Sequence, residues 1–125
     1  MAANSPVRWR LPRQRRLQQN RDFMRVRAQG QRLACGCLIA NWMSLPEGSL
    51  SRLGVVTGRK LGGAIVRSRA RRLLRETFRL HQHDLRQPVN LVLVARPSIV
   101  NKHLPDVERD FLTALHRAGM LKASK

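Results

Sequence analysis

A chain of 125 residues with 42% hydrophobic content suffices for one folded domain, which excludes a purely disordered basic tail. Lys and Arg total 25 against seven Asp and Glu, so the formal charge is +18. A field of that size attracts polyanions, nucleic acid first among them. No run approaches the roughly 18 apolar residues that a membrane span needs.

The opening segment, residues 1–16 (MAANSPVRWRLPRQRR), mixes Pro, Asn, Ser and Arg without an apolar period and reads as a flexible basic arm. Its basic start meets no apolar stretch before Pro12, so it does not read as a signal peptide. One domain is expected over residues 17–120, with a tail at 121–125. The stretch NRDFMRVRAQG predicts a short helix capped by Asn20 and ended by Gly30, with Phe23 and Val26 on one face. LACGCLIANWM, residues 33–43, is apolar and predicts one extended strand. There, Cys35 and Cys37 share a face without bridging, as expected for a reducing cytoplasm. After a turn at SLPEGSLS, RLGVVT predicts a second strand.

Lys60 and the pair Gly62-Gly63 lead into a helix over 64–81. Val66, Ala70, Leu73, Leu74, Thr77 and Phe78 fall on one face of it, while Arg67, Arg69, Arg71, Arg72, Arg75 and Arg79 fill the other. Like charges at i, i+4 repel by a few tenths of a kcal/mol per pair, about 0.2–0.5. A helix that keeps six of them is suited to phosphates, whose binding releases counterions. Arginine outnumbers lysine 21 to four, a bias that an arginine-rich genome also produces. VNLVLVAR, residues 89–96, predicts a central strand covered on both faces. The last helix starts at Pro105, carries Asp106, Glu108 and Asp110 in its first turns, buries Val107, Phe111, Leu115 and Ala118, and ends at Gly119.

Sites of catalysis are sparse. TGRKLGG lacks the phosphate-loop order, since Lys60 precedes the glycines. Asp106 and Asp110 share a helix face and suit Mg²⁺ in principle, but the helix dipole accounts for them more simply. His81, His83 and the two cysteines lack further ligands at metal spacing. Phe78 and Phe111 belong to apolar faces; Phe23 and Trp42 fit either a core or a platform for unpaired bases.

Three segments in order carry a resemblance: RLQQNRDFMRVRAQG, GVVTGRKLGGAIVRSRARRLLRETFR and LVLVARPS, together spanning about residues 15–98. They resemble the protein subunit of bacterial ribonuclease P, with its Lys-x-x-Gly-x-Ala-Val loop and "RNR" helix. The resemblance implies an α/β two-layer sandwich in the order αβββαβα, like domain 2 of ribosomal protein S5, with a left-handed βαβ crossover. The residues alone predict three strands rather than four. It further implies a catalytic RNA with bound Mg²⁺ that cleaves the 5′ leader from precursor tRNA, one protein per RNA, and no catalytic residue or metal on the protein. By the same resemblance, Lys60, Arg67, Ser68, Arg69, Arg71, Arg72 and Arg75 dock on the catalytic RNA. Phe23, Arg27, Asn41 and Trp42 line a cleft for the single-stranded leader. Ser68 stands where relatives usually carry Asn, and Arg27 and Asn41 where aromatic residues are common. Two rivals share the composition: a ribosomal or general RNA-binding protein, and a protein-only nuclease using Asp106, Glu108 or Asp110.

Overall fold

The computed structural model describes residues 12–122. Its elements are α1 (Asn20–Gln29), β1 (Gln31–Cys35), β2 (Leu38–Ser44), β3 (Arg52–Val56), α2 (Ala64–His81), β4 (Val89–Ala95) and α3 (Leu104–Arg117). The mixed α/β order αβββαβα is the expected one. The strands form one sheet ordered β1-β2-β4-β3. β2 pairs antiparallel with β1 and β4, and β3 lies parallel to β4, joined to it through α2. β4 is therefore central, as its unbroken apolar run predicts.

Alternation along the strands builds two layers. Leu38, Ala40, Trp42, Leu91, Leu93 and Leu53 face α2 and α3, where Leu74, Phe78, Phe111 and Leu115 complete the main core. The opposite face holds a smaller cluster of Leu17, Val26 and Val92, with Phe23 and Met43 packed on it. The 18-residue α2 keeps its expected bounds and buries Ala70, Leu74, Thr77 and Phe78.

The structure corrects three local expectations. The apolar run 33–43 is two strands, because Gly36 takes a φ of 59° and turns the chain at Gly36-Cys37. Asp110, far away on α3, accepts the Cys37 N–H at 2.9 Å, and any side chain on residue 36 would strike its carboxylate. Asn20 does not cap α1: Gln19 precedes the helix without a side-chain bond, and the Asn20 amide instead reaches Met24 Sδ. Pro105 lies one residue inside α3, whose start is closed by a capping box in which Asp106 accepts the His103 N–H at 3.0 Å. That hydrogen bond holds the Asp106 carboxyl below the usual carboxylate range. Gly119 (φ 72°) ends α3 as expected, with Met120 N–H donating to Leu115 O in a Schellman turn.

His81 ties the helical layer together. Its Nδ1 lies 3.0 Å from Asp84 Oδ2 and its Nε2 2.8 Å from Glu108 Oε2, bridging α2 to α3. Burial alone would depress its pKa, but the two carboxylates outweigh it and raise it. A raised folded pKa means stability is full below the unfolded value near 6.5 and is lost as pH climbs through the folded value. We expect the melting temperature to fall above about pH 6.5, and the His81→Gln variant to lose that slope. A wild-type profile as flat as the variant's would contradict the linkage.

Candidate nucleic-acid interface

The cationic surface starts where β3 hands the chain to α2. Gly62 adopts a φ of 136°, which L side chains rarely take, so the loop turns sharply and leaves Lys60 exposed beside the helix start. Along α2 the arginines divide into separate groups. Arg69 leans toward α3, donating from Nη2 to Lys102 O at 2.7 Å and from Nη1 to Val100 O at 3.4 Å. Arg71 leans toward β3, donating to Thr57 Oγ1 at 2.9 Å and Ser68 Oγ at 3.0 Å. Ser68 thus holds its neighbouring arginine. The Arg67 and Arg72 side chains make no hydrogen bond or salt bridge among the described residues and remain available to a partner. The exposed Ile65 lies beside Arg72 and Ser68 at the helix apex.

Arg75, one turn beyond Arg71, lies on the β3 side of the helix. It lines an open cleft of about 400 Å³ together with Phe23, Leu17, Gly54, Arg16 and Arg13. Phe23 packs directly on Gly54, so a Cβ there would enter its ring and displace it. Burial, then the nearby charges of Arg16 and Arg71, lower the Arg75 pKa. Arg16 Nε is buried without a hydrogen-bond partner among the described residues. Crowded guanidiniums with an unanswered donor suit an oxyanion. At matched ionic strength sulfate should raise the melting temperature by about 5 °C at tenfold excess over its dissociation constant. An unchanged midpoint would count against the site.

Sequence reasoning did not assign Arg13, Arg16 or Leu17 to this cleft. They fall at the junction of the expected arm with the domain. Residues 1–11 of that arm lie outside the described residues, while Arg13–Arg15 form a 3₁₀ turn and Arg16 bridges to Leu53 on β3. Leu17, an apolar residue just before the helix, was the available signal.

Of the four expected leader residues, the structure brings two to one sheet face. Phe23 is half-buried on α1 above Gly54. Asn41, 3% exposed, pairs with Val92 on that same face. Arg27 is exposed on α1. Trp42 points the other way into the main core, because neighbouring strand residues alternate faces, and so does not line the expected leader cleft. The carboxylates of the rival nuclease reading all serve the fold: Asp106 caps α3, Glu108 holds His81 and Asp110 holds the Cys37 turn. Burial and the Asp110 carboxylate push the Cys37 thiol up to about 12, so it stays protonated at neutral pH.

A two-layer α/β protein with an open cationic helix and an arginine-rimmed cleft belongs among the polyanion-facing proteins. More closely, the chain belongs to the ribonuclease P protein family, whose Ribonuclease P model matches residues 11–119. It is similar to the ribonuclease P protein component of Symbiobacterium thermophilum, 35% identical over 107 residues (86% of this chain, 93% of that one). The component from Roseiflexus sp. is 36% identical over 110 residues (87% and 89%). Among solved structures, the RNase P protein from Thermotoga maritima matches with a TM-score of 0.71 at 27% identity, covering 82% of this chain and 96% of that one. The Staphylococcus aureus protein shares the fold with a TM-score of 0.77 at 23% identity, covering 86% and 98%. Membership makes the chain a component of an RNA-containing endoribonuclease of tRNA processing. No helix among the described residues is long and apolar enough to cross a membrane.

Proposed function

We propose that this chain docks on the catalytic RNA of ribonuclease P and holds the 5′ leader of precursor tRNA while that RNA cleaves it. The observation that carries the reading is Arg75: it joins the arginine face of α2 to the Phe23 cleft, making one continuous surface. Arg67, Arg72 and Lys60 bind phosphates of the catalytic RNA, while Arg69 and Arg71 hold the helix in place. In the cleft, Phe23 offers a stacking face and Arg75 and Arg16 hold the leader backbone, with the exposed Arg27 one helical turn from Phe23 on α1. Charge on the protein screens repulsion between the two RNAs. Mg²⁺ supplies the hydrolytic chemistry within the catalytic RNA, and Asp106, Glu108 and Asp110 are occupied in the protein. One protein serves one RNA, in the cytoplasm.

Reconstitution tests this. Adding the protein to its cognate catalytic RNA should accelerate precursor-tRNA cleavage at low Mg²⁺. No acceleration overturns the proposal. Recovery of ribosomal RNA as the main species pulled down from cells would favour the ribosomal reading instead.

A further inference from the structure

A second cationic hollow lies at the opposite end of α2, beyond His81. It encloses about 320 Å³ and is lined by Arg15, His83, Arg86 and Lys122, with Gln87 and Ser51 between them. None of its lining residues is Asp or Glu. Asp84, adjacent in sequence, is drawn away to His81.

Hydrogen bonds fix the backbone that carries Arg86 and Lys122 and the side chains of Arg86 and Arg15. Arg86 N–H donates to Met120 O at 2.8 Å and Lys122 N–H to Asp84 O at 2.8 Å, and Leu85 bridges Leu121, so the two segments run locked side by side. Arg86 Nη1 also donates to Gly119 O at 3.1 Å, and Arg15 Nε to Ser51 O at 3.0 Å. Three cations, Arg15, Arg86 and Lys122, gathered without a carboxylate among the lining residues repel one another, and an anion relieves that repulsion. Their ordered backbone lowers the entropy lost on binding. Neither Phe nor Trp lines the hollow, so it offers donors to phosphate but no stacking face for a base. The 18 residues of α2 span about 27 Å, too far for one phosphate to meet both ends.

We propose that this hollow is a second, sequence-independent contact for an RNA phosphodiester backbone, so that the protein spans two separated tracts of RNA. The proposal rests on the RNA-docking reading above. It extends the interface to a region outside the docking helix and the leader cleft.

The chain has only four lysines, which makes amine acylation a clean test. Wild-type protein would be acylated alone, with a ribonuclease P RNA transcript, with a random transcript of equal length, and with polyglutamate, then mapped by mass spectrometry. Lys60 reports the docking loop and Lys122 the second hollow; both are exposed. The ribonuclease P transcript should protect both, and the random transcript should protect Lys122. In parallel, the double variant Arg86→Gln, Lys122→Gln should lower the salt dependence of RNA binding, d log K/d log[KCl], by about 1 to 2. Protection of Lys60 with Lys122 reacting at its free rate overturns the second contact alone. Protection of Lys122 by polyglutamate but by neither RNA overturns it in favour of an acidic protein partner. Protection of neither lysine by any RNA overturns the docking reading and this one with it.

Discussion

Replacing Gly30 with alanine is expected to detach α1 from the sheet. Gly30 closes the helix and enters β1 with an extended backbone, so its conformation alone tolerates a side chain. Space does not. A Cβ there would press into the carbonyl oxygen of Trp42, lie 2.5 Å from that of Val26, and reach 2.9 Å from Met43 Cγ. Two of the three obstacles are backbone, which no rotamer change relieves. Overpacking of this kind costs about 1–3 kcal/mol, and the upper end applies where the obstacle is fixed. Because α1 carries Phe23 over Gly54, the same change should disorder the cleft. Denaturant unfolding and fluorescence-detected binding of a leader oligonucleotide would measure both losses. Wild-type stability in the variant would show that α1 can shift without cost.

The Arg67→Gln, Arg72→Gln double variant should weaken binding to the catalytic RNA by about 100-fold without unfolding the protein. Neither arginine side chain has a protein hydrogen bond or salt bridge to lose among the described residues. Each charge-assisted contact to phosphate is worth about 1.5–3 kcal/mol, and the lower end for two contacts already amounts to two decades. Arg69→Gln makes the instructive contrast. It removes the donors to Lys102 O and Val100 O, so its main loss should be about 1–3 kcal/mol of stability. Equal affinity losses per folded molecule for Arg69 and Arg72 variants would contradict this division of labour.

The main helix and the central strand were legible because period and punctuation agree there. α2 runs from the glycine pair to His81, as its alternating apolar and arginine faces predict, and β4 is central, as its continuous apolar run predicts. The β1–β2 turn was not legible. Gly36-Cys37 sits inside an apolar run, and the carboxylate that secures it is 73 residues away. The docking group was legible as a list but not as a division. Period places six arginines on one side of α2, yet the neighbouring loop at 100–103 and Thr57 are what engage Arg69 and Arg71. Trp42 illustrates the opposite limit. Its neighbour Asn41 faces α1, and a one-residue difference in a strand decides between core and cleft.

The segment just before α1 also determines how the sheet ends. β3 is an edge strand, and its outer side is partly occupied by residues 13–17: Leu17 N–H donates to Leu53 O at 2.9 Å, Arg15 Nε to Ser51 O and Arg52 Nε to Gln14 O. An unpaired edge is a template for another molecule's strand. Here the place is taken by a short run of arginines, which blocks strand addition sterically and repels an identical edge. The basic lead-in therefore guards solubility as well as the cleft. At high concentration without RNA, a chain cut back past Leu17 would be expected to self-associate through β3.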